Sequence, residues 1–176
     1  GHPRINSLYH VYRIINLNSP IFNTDEKIIG HRSYVGSTYD RKYKRYKDVP
    51  NGIAHRVVEG HLQESMLKMD GSYKSHGKIH NTIREACAKH GKHINNFMYD
   101  YYAGKSKLAD IGLKVIIECT VPAGHESMLK ALLRETYFIE KYLSKHEGYN
   151  HHSIGVPGQS RDCHNLKTPA QKRLIF

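Results

Sequence analysis

The 176-residue, 20.3 kDa chain is long enough to bury one substantial core and short for two large domains. Its 27 Lys and Arg against 16 Asp and Glu leave a charge of +11, and 14 histidines add to it as pH falls, so an acidic partner is expected; 39% hydrophobic residues and a mean hydropathy of -0.63 exclude a disordered basic tail. No apolar run nears the roughly 20 residues that cross a bilayer, no signal-peptide layout opens the chain, and Cys87, Cys119 and Cys163 lack metal or disulfide spacing, so a cytoplasmic protein with no membrane partner is expected.

Tyr9 to Ile15 (YHVYRII) combines aromatic and β-branched residues ahead of the turn-forming stretch Asn16 to Pro20, which predicts a strand entering a loop. After a polar connection through Thr24, Asp25 and Glu26, the stretch Ile28 to Ser37 (IIGHRSYVGS) returns to strand chemistry, and the two strands are expected to pair as a hairpin with a long loop. Gly36, at the strand end, would let a partner's backbone or a phosphate approach closely.

The run Tyr39 to Lys47 (YDRKYKRYK) is dense in Arg, Lys and Tyr, and Pro50-Asn51-Gly52 breaks the chain after it. Ile53, Val57, Leu62, Met66 and Met69 recur near the helical period, predicting a helix from about Ile53 to Lys68 that Gly60 weakens. A loop follows from Asp70 to Lys78, then a short helix lined by Ile83, Ala86 and Cys87 and closed by Gly91. Phe97 to Lys107 is tyrosine-rich and fits no single period. Leu113 to Val121 (LKVIIECTV) predicts a third strand ended by Pro122. From Glu126 to Lys145, an apolar stripe through Met128, Leu132, Phe138, Ile139 and Tyr142 predicts the longest helix, stopped by Gly148. The expected fold is α+β: a small three-stranded antiparallel sheet flanked by helices over residues 1–150, with a basic, mostly irregular tail over 151–176.

Antiparallel pairing of the first two strands could set Tyr12 and Tyr34 side by side, although two half-buried strand tyrosines explain the same pattern. The segments HVY at His10–Tyr12, YVG at Tyr34–Gly36, RETYFIE at Arg134–Glu140 and GYN at Gly148–Asn150 are similar in order and spacing to the motifs of the GIY-YIG nuclease superfamily. The chain most resembles the catalytic domains of phage intron-encoded homing endonucleases, over roughly Tyr9 to Asn150, and the stretch from Ile83 to Gly91 looks like the short helix those enzymes place before their third strand.

The resemblance implies a divalent-metal-dependent endonuclease that hydrolyses phosphodiester bonds of double-stranded DNA with water as nucleophile. Glu135 would hold Mg²⁺ or Mn²⁺, since Mg²⁺ keeps waters and can make do with one or two carboxylates plus a phosphate. Tyr12 would position or deprotonate the attacking water, and Tyr34 would hydrogen-bond that water or the reacting phosphate. A phenol near pKa 10 acts as a base only with nearby cationic help. Arg56 would fork onto the phosphate, His61 would lie near Tyr12 or the leaving group, and Asn150 would shape the site through a hydrogen bond. Gly36 with Arg41, Lys42, Lys44, Arg45 and Lys47 would meet DNA, the cations neutralising phosphates while Tyr43 and Tyr46 pack on sugars or bases.

The chain departs from the family pattern in three ways, the first being a loop between the first two strands that is longer than usual. His10 stands where the first tripeptide has glycine, and Arg56 and His61 are five residues apart where the family has four. On an ideal α-helix that spacing turns them about 140° apart, unless Gly60 distorts it, and Arg45 is an alternative for the catalytic arginine. Two further readings stand beside the homing-type enzyme: a type II restriction endonuclease of the same superfamily, which a homodimer would favour because paired half-sites match a two-fold axis, and a non-catalytic nucleic-acid-binding module. The pairs His76 and His80, His90 and His93, and His151 and His152 have ligand-like spacing without completing a four-ligand zinc set.

Overall fold

In a computed structural model, the described residues are 5–40, 49–142, 144, 147–151 and 172–173. Strand β1 (Tyr9–Phe22) is central, pairing antiparallel with β2 (Ile28–Tyr39) on one side and with β3 (Leu113–Val121) on the other. A two-residue β4 (Lys172–Arg173) adds to β3 opposite Ile116 and Ile117, giving the order β2-β1-β3-β4 with β2 at an edge among the described residues. Beyond those two residues, and apart from His151, the expected tail lies outside the described residues, as does Cys163. Cys87 and Cys119 are free, buried thiols.

β1 continues through the stretch where a loop is expected. Its register with β2 shifts between Ile15 and Pro20, and the polar residues there serve a bulge instead of a reversal. Asn18 donates to Asn16 Oδ1 and to the Ile111 carbonyl, each at 2.9 Å, while the Leu17 N–H reaches the Gly112 carbonyl at 2.8 Å. The chain reverses after Phe22 instead, where the Asn23 side chain accepts the N–H groups of Asp25 and Lys27 at 2.9 and 3.0 Å, an Asx-type turn.

Helix α1 (Asn51–Ile53) runs directly into a π-helix (Ala54–Leu62); α2 (Lys78–Lys89) and α3 (Ile94–Tyr102) follow, then a 3₁₀ turn (Leu108–Ile111) before β3 and α4 (Ser127–Lys141) after it. The segment expected as one α-helix to Lys68 is thus mostly π-helical and shorter. The tyrosine-rich stretch is helical because Ile94, Phe97 and Met98 recur at helical spacing and are buried, leaving Tyr99 and Tyr102 exposed.

Strand alternation divides the core. Tyr12 and Ile14 point to one face of the sheet and pack with Ile53, Val57 and Leu62 of the first helices, Ile83 and Cys87 of α2, and Phe97 and Met98 of α3. Val11, Val35 and Cys119 point to the other face, against Phe138 and Ile139 of α4. On that second face Arg13 pairs with fully buried Glu118 at 2.7 Å and stacks 3.6 Å from the Tyr142 ring centre, while the Tyr142 hydroxyl donates to the other Glu118 oxygen, so the buried carboxylate is paired and hydrogen-bonded. Among the described residues, no helix is long and apolar enough to cross a membrane.

Candidate active site

Register brings the two tyrosines together. Tyr12 lies directly opposite Gly36 and Ile14 opposite Tyr34, so both phenols rise from the same face, with ring centres 6.3 Å apart. Gly36 is needed there: a Cβ at that position would stand 2.5 Å from the Tyr12 hydroxyl and 2.6 Å from its ring carbon. Gly36 is buried, and the space beside its α-carbon is filled by the chain's own phenol. We expect Gly36→Ala to destabilise the fold by about 1–3 kcal/mol in urea unfolding, the usual scale of overpacking, since the Tyr12 ring can yield only by leaving its hydrogen bond to His61.

That hydrogen bond, Tyr12 Oη to His61 Nε2 at 2.8 Å, joins β1 to the π-helix. The π geometry resolves the spacing problem. Backbone bonding from residue i to i+5 places a residue five positions along nearly above the first, so Arg56 and His61 share the face turned toward the tyrosines. Arg56 stands close enough to both phenols to favour their ionised forms through charge and hydrogen bonding.

Burial dominates over that help. It pushes the Tyr12 phenol well above its ordinary value, and the neighbouring Tyr34 and Glu135 add to the effect while Arg56 opposes it. Tyr34 is raised for the same first reason. Burial, then the charges of Arg56 and His80, hold the His61 imidazole down to about 3. At neutral pH the site therefore contains two protonated phenols and an uncharged imidazole, and Tyr12, as a donor, makes its bond to the His61 ring nitrogen. Tyr12 is fully buried while Tyr34 is only partly so and Arg56 is exposed. Of the two phenols Tyr34 is therefore the one open to solvent, with Tyr12 and His61 enclosed behind it.

Glu135 enters from α4, which packs on the sheet beside β2, the edge strand among the described residues. Alternation along β2 turns Ser37 away from Tyr34 and Gly36, and its hydroxyl donates to Glu135 Oε2 at 2.5 Å. The carboxyl is 3% exposed, and burial pushes it up to about 7 against the pull of Ser37 and Arg56. Its charge is felt by both phenols, yet among the described residues no ion pair joins it to Arg56. Arg56 is near enough for its charge to lower the Glu135 carboxyl, although the two form no ion pair among the described residues.

The residues after α4 brace this arrangement. Asn150 accepts from the Val35 N–H and donates to the Val35 carbonyl, both at 2.8 Å, and so pins the residue between Tyr34 and Gly36. Gly148 lies too close to the Ser33 and Ser144 backbones for any side chain, and the Tyr149 N–H bonds the Ser33 carbonyl at 3.0 Å. Asn150 is a positioning residue for the second tyrosine motif.

Arg41, Lys42, Lys44, Arg45 and Lys47 lie outside the described residues. The two ends of their segment are fastened together, Asp40 accepting the Gly52 N–H at 2.9 Å and Thr38 donating to the Gly52 carbonyl at 3.0 Å, next to the helix that carries Arg56. Two nearby residues were not placed at this site by the sequence reading, which named His80 only as half of a ligand-spaced pair with His76. Ser37 is detectable only through strand register with Tyr12, and His80, whose ring centre is 5.9 Å from that of His61, only through the packing of α2. No family model, no curated protein and no solved structure matches this chain.

Proposed function

We propose that this chain is a divalent-metal-dependent DNA endonuclease of GIY-YIG type, with a homing-endonuclease-like catalytic domain, hydrolysing phosphodiester bonds with water as nucleophile. The observation that carries the reading is the meeting of Tyr12, Tyr34, Arg56, His61 and Glu135, drawn from four segments apart in sequence, with the charges of Arg56 and Glu135 both acting on the two phenols. The resemblance of the sequence motifs and the charge of +11 support it.

The donor set fits a hard divalent cation. Among the described residues there is no group of three His, Cys, Asp or Glu side chains that could hold a metal, which disfavours zinc; Mg²⁺ or Mn²⁺ commonly takes one or two carboxylates and keeps its waters. Glu135 would hold it, with Ser37 orienting the carboxylate. Bound there, the ion would supply Lewis-acid stabilisation of the phosphate oxygens.

The chain's own residues supply the rest. Arg56 reaches the phosphate with a planar, permanently charged fork and stabilises charge that grows in the transition state. Tyr34 hydrogen-bonds the attacking water. Tyr12 and His61 hold Tyr34 in place from behind, both phenols stay protonated, and the proton that the attacking water sheds passes to bulk solvent.

The test is supercoiled plasmid incubated with and without Mg²⁺ or Mn²⁺. Cleavage that requires the ion is expected. DNA bound but left intact under every divalent ion would mean a non-catalytic binding module.

A pH dependence follows from Glu135. A cation binds the ionised carboxylate, so Mg²⁺ affinity should rise with pH up to about 7 and level off above it, and increasing Mg²⁺ should move the midpoint of the cleavage profile to lower pH. His61, held down to about 3, contributes no step in the working range. Cleavage rates measured from pH 5 to 9 at several Mg²⁺ concentrations check both statements, and a midpoint indifferent to Mg²⁺ would contradict them.

A further inference from the structure

A cavity opens beside these residues, and most of its walls have no part in the chemistry described so far. It holds about 260 Å³ and is lined by Tyr9, Ser37, Thr38, Tyr39, His55, Arg56, Met128 and Leu132. Two of those residues tie it to the reacting centre: Arg56 stands against both phenols, and Ser37 carries the hydroxyl bonded to Glu135. The remaining walls differ in character. Tyr9 and Tyr39 lie opposite one another in the β1–β2 register with ring centres 5.9 Å apart, and Met128 packs on the cluster they form with Val121 and Ala131. Leu132, one turn along α4 from Met128, closes the apolar side.

We infer that this cavity is a binding pocket for the nucleoside attached to the reacting phosphate. The inference rests on the endonuclease reading and extends it to a substrate subsite. A phosphodiester held by Arg56 carries a sugar and base on each side, and the cavity begins at Arg56, so one of them is delivered to its mouth. Aromatic and thioether walls suit a flat heterocycle, which gains from contact with ring faces irrespective of base identity. The size agrees: the volume lies below the range of about 300–1,000 Å³ that suits drug-sized ligands, enough for one nucleoside and too small for a stretch of duplex. Charge divides the lining in the same sense, with Arg56 and, beside it, His55 paired to Glu59 on the helix side, and the uncharged Tyr9, Tyr39, Met128 and Leu132 making the other walls. A nucleoside seated there would fix the phosphate along one direction, so Tyr9, Tyr39, Met128 and Leu132 act on substrate placement.

The experiment uses the intact protein with Mg²⁺ and four probes: inorganic phosphate, thymidine, thymidine 5′-monophosphate and thymidine 3′-monophosphate, with dissociation constants from calorimetry or NMR titration. One of the two nucleotides should bind roughly tenfold or more tightly than inorganic phosphate, the scale of one base–aromatic contact, and which one it is identifies the side of the phosphate that enters. Leu132→Trp, which fills the cavity from a half-buried position, should reduce that nucleotide to the affinity of inorganic phosphate while leaving phosphate binding unchanged; Met128→Trp serves if the first variant fails to fold. Equal affinity of both nucleotides and inorganic phosphate, or a filled cavity that leaves nucleotide binding intact, would overturn the pocket. The two readings fail differently: intact plasmid with tight nucleotide binding removes the hydrolysis and supports the pocket, whereas cut plasmid with no preference for nucleotide removes the pocket alone.

Discussion

Glu135→Gln should lower single-turnover DNA cleavage by about two to three orders of magnitude, the usual loss when a group that stabilises transition-state charge is removed, while making the protein more stable at alkaline pH. The two effects have one cause. The carboxyl is nearly inaccessible and its pKa is lifted from 4.5 to about 7, so the folded chain binds the proton more tightly than the unfolded chain does. Stability linked to this group is complete below pH 4.5 and is lost as pH rises through about 7. The loss amounts to about 3 kcal/mol at the top of the window. Glutamine keeps the shape and an oxygen for the Ser37 hydroxyl, carries no charge and escapes that loss. Urea unfolding of both proteins at pH 5 and pH 8.5 should show similar stability at the first and a more stable variant at the second. A variant that cleaves as fast as the parent would remove Glu135 from the chemistry, and one no more stable at pH 8.5 would contradict its burial as a charged group.

On the proposed endonuclease reading, in which the Arg56 fork serves charge that develops during the reaction while lying against both phenols, Arg56→Ala should slow single-turnover cleavage by about 10²–10³ at saturating protein with a much smaller effect on DNA affinity. Arg56→Lys should recover little, since an ammonium cannot reproduce a planar pair of donors. Arg45→Ala provides the contrast. As a phosphate contact on the basic segment it should weaken binding and reduce the salt dependence by about one ionic contact, without slowing cleavage of bound DNA. The reverse pattern would make Arg45 the catalytic arginine and Arg56 a support for the tyrosines.

How much of this was legible depended on whether the information was local. The third strand and α4 announce themselves through a segment rich in β-branched residues and a wide apolar stripe, both complete within their own segments. The extension of β1 through Asn16–Pro20 did not, since Asn18 and Leu17 find hydrogen-bond partners on Ile111 and Gly112 about a hundred residues away, and sequence windows see only their turn chemistry. The π-helix was hidden because a period of 3.6 was applied to a stretch that follows another, and that assumption alone turned Arg56 away from His61. Glu135 is indistinguishable from a solvated helix glutamate by composition. Its burial beside β2, with Ser37 as its donor, comes from packing between α4 and the sheet. The same holds for the order of the tyrosines. Sequence motifs place both at the site, and only the pairing register shows Tyr12 enclosed behind Gly36 and Tyr34 outside it.

The claim that these side chains act on one phosphate is tested most directly by comparing Tyr34→Phe, Glu135→Gln and the double variant in single-turnover plasmid cleavage with Mg²⁺. Groups serving the same reacting centre are not additive, so the double variant should cleave about as fast as the slower single one. Rate losses that multiply, with each substitution acting regardless of the other, would contradict a shared centre.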